Sequence, residues 1–342
     1  MKSNGASMPV VEEFEHRTGV HCGSTAAADL LRWAGVELSE AMVFGLGSGA
    51  GFFYLRGDRM SPTRQIAGRS AALEENAARA LGLELVSHRP DGAEEAWRGV
   101  ERALDEGRPV MIACDLSQLP YWDTDTTFNG HRIVCAGYEG DDVLVADTDF
   151  EGLQRISREQ FQTARSLGDP PALEPPYKWW ELERGQTRSL ESAVREALVR
   201  NVESMRQGPE GVGGLDGLGR FKSEVGQWTE QEDAVWCYRF AYQCIEERGT
   251  GGGNFRLLYR DYLREAEEYV PELAEGQLVS SVYRTARSWT TLAEHLAAMA
   301  TYLETEGEEP EEDPAHHVES MAEAVYQFES TFWGAVEEVL GD

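Results

Sequence analysis

The sequence predicts an α+β chain, a sheet-bearing first half followed by a mainly helical half. Three observations predict it. An early apolar helix opens on a cysteine, Cys22. Two β-rich runs joined by a Gly-Asp turn open on a histidine, His131, and close on an aspartate, Asp147. Beyond a proline cluster at residues 169–176, the chain reads as a succession of amphipathic helices.

The first element is the stretch from Thr18 to Leu31. Gly19 and Gly23 allow a tight turn, Ser24 or Thr25 supplies a cap, and Ala27, Leu30, Leu31 and Ala34 share one helical face as far as about Trp33. A thiol at that position meets the positive end of the helix dipole, which favours the nucleophilic thiolate. Val10 to Phe14 reads as a short extended segment, and Ser39 as the cap of a short helix. The Gly-rich run Gly45 to Gly51 is too irregular for a nucleotide fingerprint, and reads as a tight turn or as a wall of a cleft. The pattern then predicts helices over 67–81 and 92–106, with strands over 83–87 and 109–115. An aromatic and acidic loop over 119–128 leads into His131.

His131 to Tyr138 and Val143 to Asp147 read as the two strands of a hairpin, which brings His131 close to Asp147. A carboxylate there fixes the imidazole tautomer and stabilises imidazolium. Asp149, and less strongly Asn129, compete for that role. Cysteine on an early helix, histidine on a later strand and acid on the next is the chain order of papain-like cysteine enzymes.

A short helix over 157–164 and a strand over 177–180 complete the first half, and the boundary is expected near residue 180, giving domains 1–180 and 181–342. The second half reads as helices over 189–206, 227–248, from 256 onward, 275–304 and 316–340, with a Gly-rich connection over 208–219 and an acidic loop over 305–314. The run Gly249-Thr250-Gly251-Gly252-Gly253-Asn254 before Arg256 is by its geometry an anion pocket at a helix start. Thr250, Gly251, Gly252, Asn254 and Arg256 are therefore candidate substrate-binding residues that reach the cleft, against the alternative of a flexible helix–helix turn.

Composition narrows the function. The chain has 342 residues, 61 acidic against 31 basic, and a formal charge of −30. Such a surface excludes duplex nucleic acid as an ordinary partner, because phosphate contacts need basic side chains. An acidic surface with three lysines (Lys2, Lys178, Lys222) suggests a salt-rich cytoplasm of the halophilic kind. No apolar run approaches ~20 residues, so no membrane-spanning helix is expected. The first residues carry no apolar signal segment, and five cysteines without a Cys-x-x-Cys pair fit a reducing cytoplasm. A zinc site made of His21, Cys22, His131 and Cys135 is disfavoured, because four residues along a strand span roughly 13 Å. No metal and no cofactor are expected.

Several stretches together resemble a known family. His21-Cys22-Gly23-Ser24, Leu38-Ser39-Glu40, Phe44-Gly45-Leu46-Gly47-Ser48-Gly49 and Phe52-Phe53-Tyr54 resemble the N-terminal domain of the butirosin biosynthesis protein BtrH family. Residues Gly249 to Arg256 with Leu258-Tyr259 and Leu263-Arg264-Glu265-Ala266 resemble the helical domain of unknown function (DUF4872) that usually follows it. The resemblance covers nearly the whole chain. It implies a papain-like cysteine acyltransferase in natural-product biosynthesis, with Cys22 as nucleophile, His131 as base and Asp147 as orienting acid. The family's named member moves an acylated amino-acid group from an acyl carrier protein thioester to an aminoglycoside amine. The implied partners are therefore an acyl thioester donor, on a carrier protein or otherwise, and a small-molecule amine acceptor. Papain-like proteases commonly place a glutamine upstream of the cysteine as oxyanion donor, and here no glutamine precedes Gln65. The Cys22 backbone N–H is one candidate donor, with His16 or His21 as the second. A peptidase or amidase using water as acceptor, and a non-catalytic binding protein, are the alternatives.

Overall fold

The structure is a computed structural model that describes residues 10–166, 174–305 and 314–341. Its elements run α1 (Cys22–Trp33), α2 (Glu40–Leu46), β1 (Ala50–Arg56), β2 (Arg64–Arg69), α3 (Leu73–Ala80), β3 (Glu84–His88), α4 (Ala93–Asp105), β4 (Val110–Cys114), β5 (His131–Glu139), β6 (Asp142–Ala146), β7 (Gln154–Ser157), α5 (Arg158–Arg165) and β8 (Trp179–Glu183). Helices follow: α6 (Leu190–Arg206), α7 (Gly214–Glu224), α8 (Ala234–Glu246), α9 (Arg256–Ala266), α10 (Glu272–Glu275), α11 (Leu278–Glu304) and α12 (Pro314–Gly341). Much of the proline cluster and most of the acidic loop lie outside the described residues, as do residues 1–9.

The chain forms two compact units, and they are not consecutive halves. The first comprises residues 1–43 and 82–187, the second 44–81 and 188–342. The expected division at residue 180 is corrected accordingly: the segment 44–81 belongs with the C-terminal helices.

The first unit is built on a six-stranded antiparallel sheet in the order β3-β8-β4-β5-β6-β7. Its central strands are apolar without alternation, because they are covered on both faces; Val110 to Cys114 and His131 to Gly137 are all buried. Ile112, Ile133, Val143 and Val145 join Trp97, Val100 and Leu104 of α4 and Phe161 of α5 in one core. α1 packs on β4 and β5. The β5–β6 hairpin closes on a two-residue turn in which Gly140 takes a φ of 62°, conformational ground that glycine occupies at no steric cost. Ser157 caps α5 through a reciprocal capping box with Gln160.

In the second unit β1 and β2 form an antiparallel hairpin packed with the helices. Here the pattern misled in three places. The expected helix over 67–81 begins only at Leu73, because residues 64–69 pair with β1. The Gly-rich stretch 208–219 is not a mere connection: α7 starts inside it, and a Cβ at Gly217 would meet the Val212 carbonyl oxygen at 2.4 Å. Those glycines permit close packing. The long helix expected over 227–248 is divided at Gln231, whose extended backbone (ψ 144°) separates a 3-10 turn from α8. Among the described residues, no helix is long and apolar enough to cross a membrane.

Candidate active site

Cys22 is the first residue of α1, and its turn is held with unusual thoroughness. The His21 ring Nδ1 accepts from the Ser24 N–H at 3.2 Å, capping the helix with a side chain. The Glu40 carboxylate collects four donors from the same turn: the Val20 N–H (2.9 Å), the His21 N–H (2.8 Å), the Ser24 hydroxyl (2.9 Å) and the Thr25 hydroxyl (3.2 Å). A Cβ on Gly19 would strike Thr25 Oγ1 at 2.1 Å, so the approach to Cys22 needs glycine. The sequence carries Glu40 in the Leu38-Ser39-Glu40 stretch but gives no sign of its contacts, since ties across fifteen to twenty residues leave no local signal.

His131 opens β5 and is buried. Its Nε2 lies 2.9 Å from both oxygens of Asp147, and the imidazole is also hydrogen-bonded to the Cys22 thiol, for which Nδ1 remains. Asp147 follows the last residue of β6. Continuing the Val134–Ala146 register puts it opposite Ile133 and diagonal to His131, within reach of a long side chain. A turn then closes with the Phe150 N–H on the Asp147 carbonyl at 3.1 Å, and it carries Asp149 out to an exposed position. Of the two aspartates, Asp147 is the one against the imidazole.

The Asp147 carboxylate is fully engaged. The Tyr121 hydroxyl donates to Oδ2 at 3.0 Å, the Trp122 indole N–H to the same oxygen at 2.9 Å, and the Thr148 N–H to Oδ1 at 2.7 Å. Trp122 also stands edge-to-face with the imidazole at 6.0 Å, so the aromatic loop both orients the acid and shields it from water. Burial works against both charges, but each ion stabilises the other. Asp147 and Cys22 outweigh the desolvation of His131 and push it up to about 10, and His131, Trp122 and Tyr121 hold Asp147 below its ordinary value.

His16 and His21, the two candidates for a second oxyanion donor, differ in what the structure leaves them. His16 is not such a donor: its Nδ1 lies 2.5 Å from Asp29 Oδ2, and its Nε2 donates to the Asp147 and Phe150 carbonyls at 3.1 Å each. His21 spends Nδ1 on the α1 cap, which leaves the proton of a neutral ring on Nε2. The remaining cysteines do not compete as nucleophiles. Burial holds the Cys114 thiol far above its usual value, pushes Cys135 and Cys244 up to about 12, and raises Cys237.

The proposed anion pocket is overturned at its charged member. Gly251, Gly252, Gly253, Asn254 and Phe255 all have positive φ, a left-handed turn that swings Arg256 into the interior of the second unit. There Arg256 is fully buried, with Nε on Glu329 at 2.7 Å, Nη1 on the Gly68 and Asn254 carbonyls and Nη2 on the Gly51 carbonyl. Four of the five guanidinium N–H donors are spent on these buried acceptors. Thr250 is likewise spent on the Ile245 carbonyl at 2.8 Å, and Asn254 is buried against Gly68. Gly251 is exposed and Gly252 partly so. These residues belong to the second unit, whereas Cys22, His131 and Asp147 belong to the first. Among the described residues no cluster of His, Cys, Asp or Glu is disposed to hold a metal ion.

A cysteine at the head of a helix packed on an antiparallel sheet faces a histidine at the start of β5 and an aspartate just past β6, a papain-like arrangement. The chain belongs to the family of the domain of unknown function (DUF4872), matched over residues 159–336, and residues 21–148 match the family described as butirosin biosynthesis protein H, N-terminal. Among solved structures it is similar to a C39-like peptidase from Bacillus anthracis, at 16% identity and a TM-score of 0.36, covering 52% of this chain and 98% of that one. It is also similar to the peptidase domain of Streptococcus ComA, a bi-functional ABC transporter involved in a quorum-sensing pathway, at 17% identity and a TM-score of 0.33, with the same coverage. No curated protein matches the chain.

Proposed function

We propose that the chain is a cysteine-dependent acyltransferase that moves an acyl group from a thioester to an amine through an acyl-Cys22 intermediate. The observation that carries the reading is the continuous hydrogen-bonded line from Cys22 through His131 to a carboxylate held by three further donors. His131, charged beside Asp147, holds the Cys22 sulfur as thiolate, which attacks the thioester carbonyl. The Cys22 N–H, in the first turn of α1 where no intrahelical acceptor exists, supports the oxyanion, and the His21 Nε2–H is the second candidate donor. Collapse expels the donor thiol, which takes its proton from His131. The now neutral imidazole accepts a proton from the incoming amine, the C–N bond forms, and Cys22 leaves as thiolate beside the restored imidazolium.

Transfer rather than hydrolysis is favoured by the match to a biosynthesis family and by the acyl-transfer chemistry that the resemblance implies. The donor is then a thioester, on a carrier protein or a small thiol, and the acceptor a small-molecule amine. Mixing the protein with short-chain acyl thioesters of N-acetylcysteamine, with and without a panel of primary amines, tests this by intact mass. Acyl addition at Cys22, absent in Cys22→Ala and discharged by amine faster than by water, is expected. Discharge by water alone makes the chain a hydrolase of the peptidase or amidase kind, and the lack of any adduct contradicts the catalytic reading.

A further inference from the structure

We propose that His16 is a positively charged positioning residue, an imidazolium strut between the helix that carries Cys22 and the turn that carries Asp147. The inference rests on the reading of Cys22, His131 and Asp147 as the reacting groups. His16 belongs to the leader before α1 and its side chain is buried. One ring nitrogen faces two backbone carbonyls, those of Asp147 and Phe150, both at 3.1 Å. Carbonyl oxygens only accept, so Nε2 carries a proton. The other nitrogen lies 2.5 Å from Asp29 Oδ2. In a neutral ring its lone pair would point at a carboxylate. Transfer of a proton to Asp29 instead is opposed by the groups on that carboxylate's other oxygen, the Arg32 guanidinium at 2.7 Å and the Arg17 N–H at 3.3 Å. The doubly protonated ring is the one state that satisfies all three acceptors, and the charge-assisted bonds this creates are the stronger kind.

The charged groups around His16 are consistent with that state. α1 presents Asp29 and Arg32, and Arg32 is shared with Glu37, which also pairs with Arg17. The segment after β6 presents two carbonyls and the Asp147 carboxylate, the latter committed to His131. Burial disfavours the His16 charge, yet Asp29 and the two carbonyls outweigh it and raise the group above its ordinary value.

The consequence is mechanical. Asp29 lies seven residues along α1 from Cys22, roughly 10 Å on a rigid helix, and the carbonyl at the other end belongs to the acid itself. With the Gly19 N–H on the Thr148 carbonyl at 3.0 Å, the strut sets the separation between nucleophile and acid, and hence the seat of His131 between them.

The seven histidines of the chain can be labelled with ¹⁵N and their ring protonation read by NMR, with His16→Gln assigning the strut. The expected spectrum shows His16 doubly protonated at pH 8, where an ordinary histidine is almost wholly neutral. His16→Gln and Asp29→Asn should each slow iodoacetamide alkylation of Cys22 at pH 7 about tenfold or more, because small misplacements of reacting groups are expensive, while loss of the exposed Arg155–Glu139 pair should not. A His16 that is neutral at pH 8, or a His16→Gln protein whose Cys22 is alkylated with the wild-type pH profile, overturns the proposal. Should wild-type Cys22 react no faster than in His131→Ala, the catalytic reading fails instead, and the ring spectrum still decides the charge on His16.

Discussion

Glu40 shows how a residue far from the chemistry in sequence becomes part of it. Four donors from residues 20–25 converge on its carboxylate, so Glu40→Ala takes the acceptor from the partly buried His21 N–H and Thr25 hydroxyl. Destabilisation of about 2–4 kcal/mol is expected in urea titration, together with slower alkylation of Cys22. His131 makes a second prediction, in pH. Its folded value, about 10, lies above its unfolded value of about 6.5. The stability it contributes is therefore complete below about pH 6.5 and lost as pH rises through 10. Asp147, held low, contributes above its ordinary range near 4 and loses that contribution in acid. The alkaline fall in urea midpoint should be shallower in His131→Gln than in wild type, and equal falls would show that the ion pair is not formed. At this scale the three residues proposed to react stood out because each sits at an element end with a recognisable cap or turn. The ties at Glu40, Asp29 and His16 were not legible as ties: they join positions thirteen to more than a hundred residues apart. Asp29 alone left a trace, as a charge inside the buried run Gly23 to Leu31.

Among the elements, the β5–β6 hairpin was readable from its Gly-Asp turn, and α1, α4 and α6 from their periodicity. The β1–β2 hairpin was not, because its connection over 57–63 carries no two-residue turn signal and its outer pairing, Phe53 with Gly213, comes from far along the chain. The Gly249–Asn254 run shows the same limit from the other side. Its glycines do mark a special backbone, but what that backbone accomplishes is the burial of Arg256 against Glu329, whose oxygens also accept the indole N–H groups of Trp289 (2.6 Å) and Trp333 (2.8 Å). Arg256→Met would leave the Glu329 charge buried without its cation, so a loss of at least about 3 kcal/mol is expected in chemical denaturation. A variant of wild-type stability would contradict this structural role of Arg256.

For the whole molecule, the proline cluster suggested two consecutive domains, whereas the chain enters its second unit at residue 44, leaves it at 81 and returns at 188. Long-range pairing of that kind has no local pattern. The net charge of −30 was plain from composition, and we propose that it reflects a salt-rich setting. The unfolding temperature should then rise steeply between low salt and molar salt as self-repulsion is screened; a stability independent of salt would contradict this. The central claim remains the activated cysteine, and intact-mass analysis after brief iodoacetamide treatment across pH, in high salt, tests it most directly on wild type, Cys22→Ser and His131→Ala. Fast modification at one site, Cys22, well below pH 8, slowed by loss of His131 and with the other four cysteines untouched, is the predicted result. Slow modification, or modification spread over the remaining cysteines, would make Cys22 an ordinary core thiol and contradict the account.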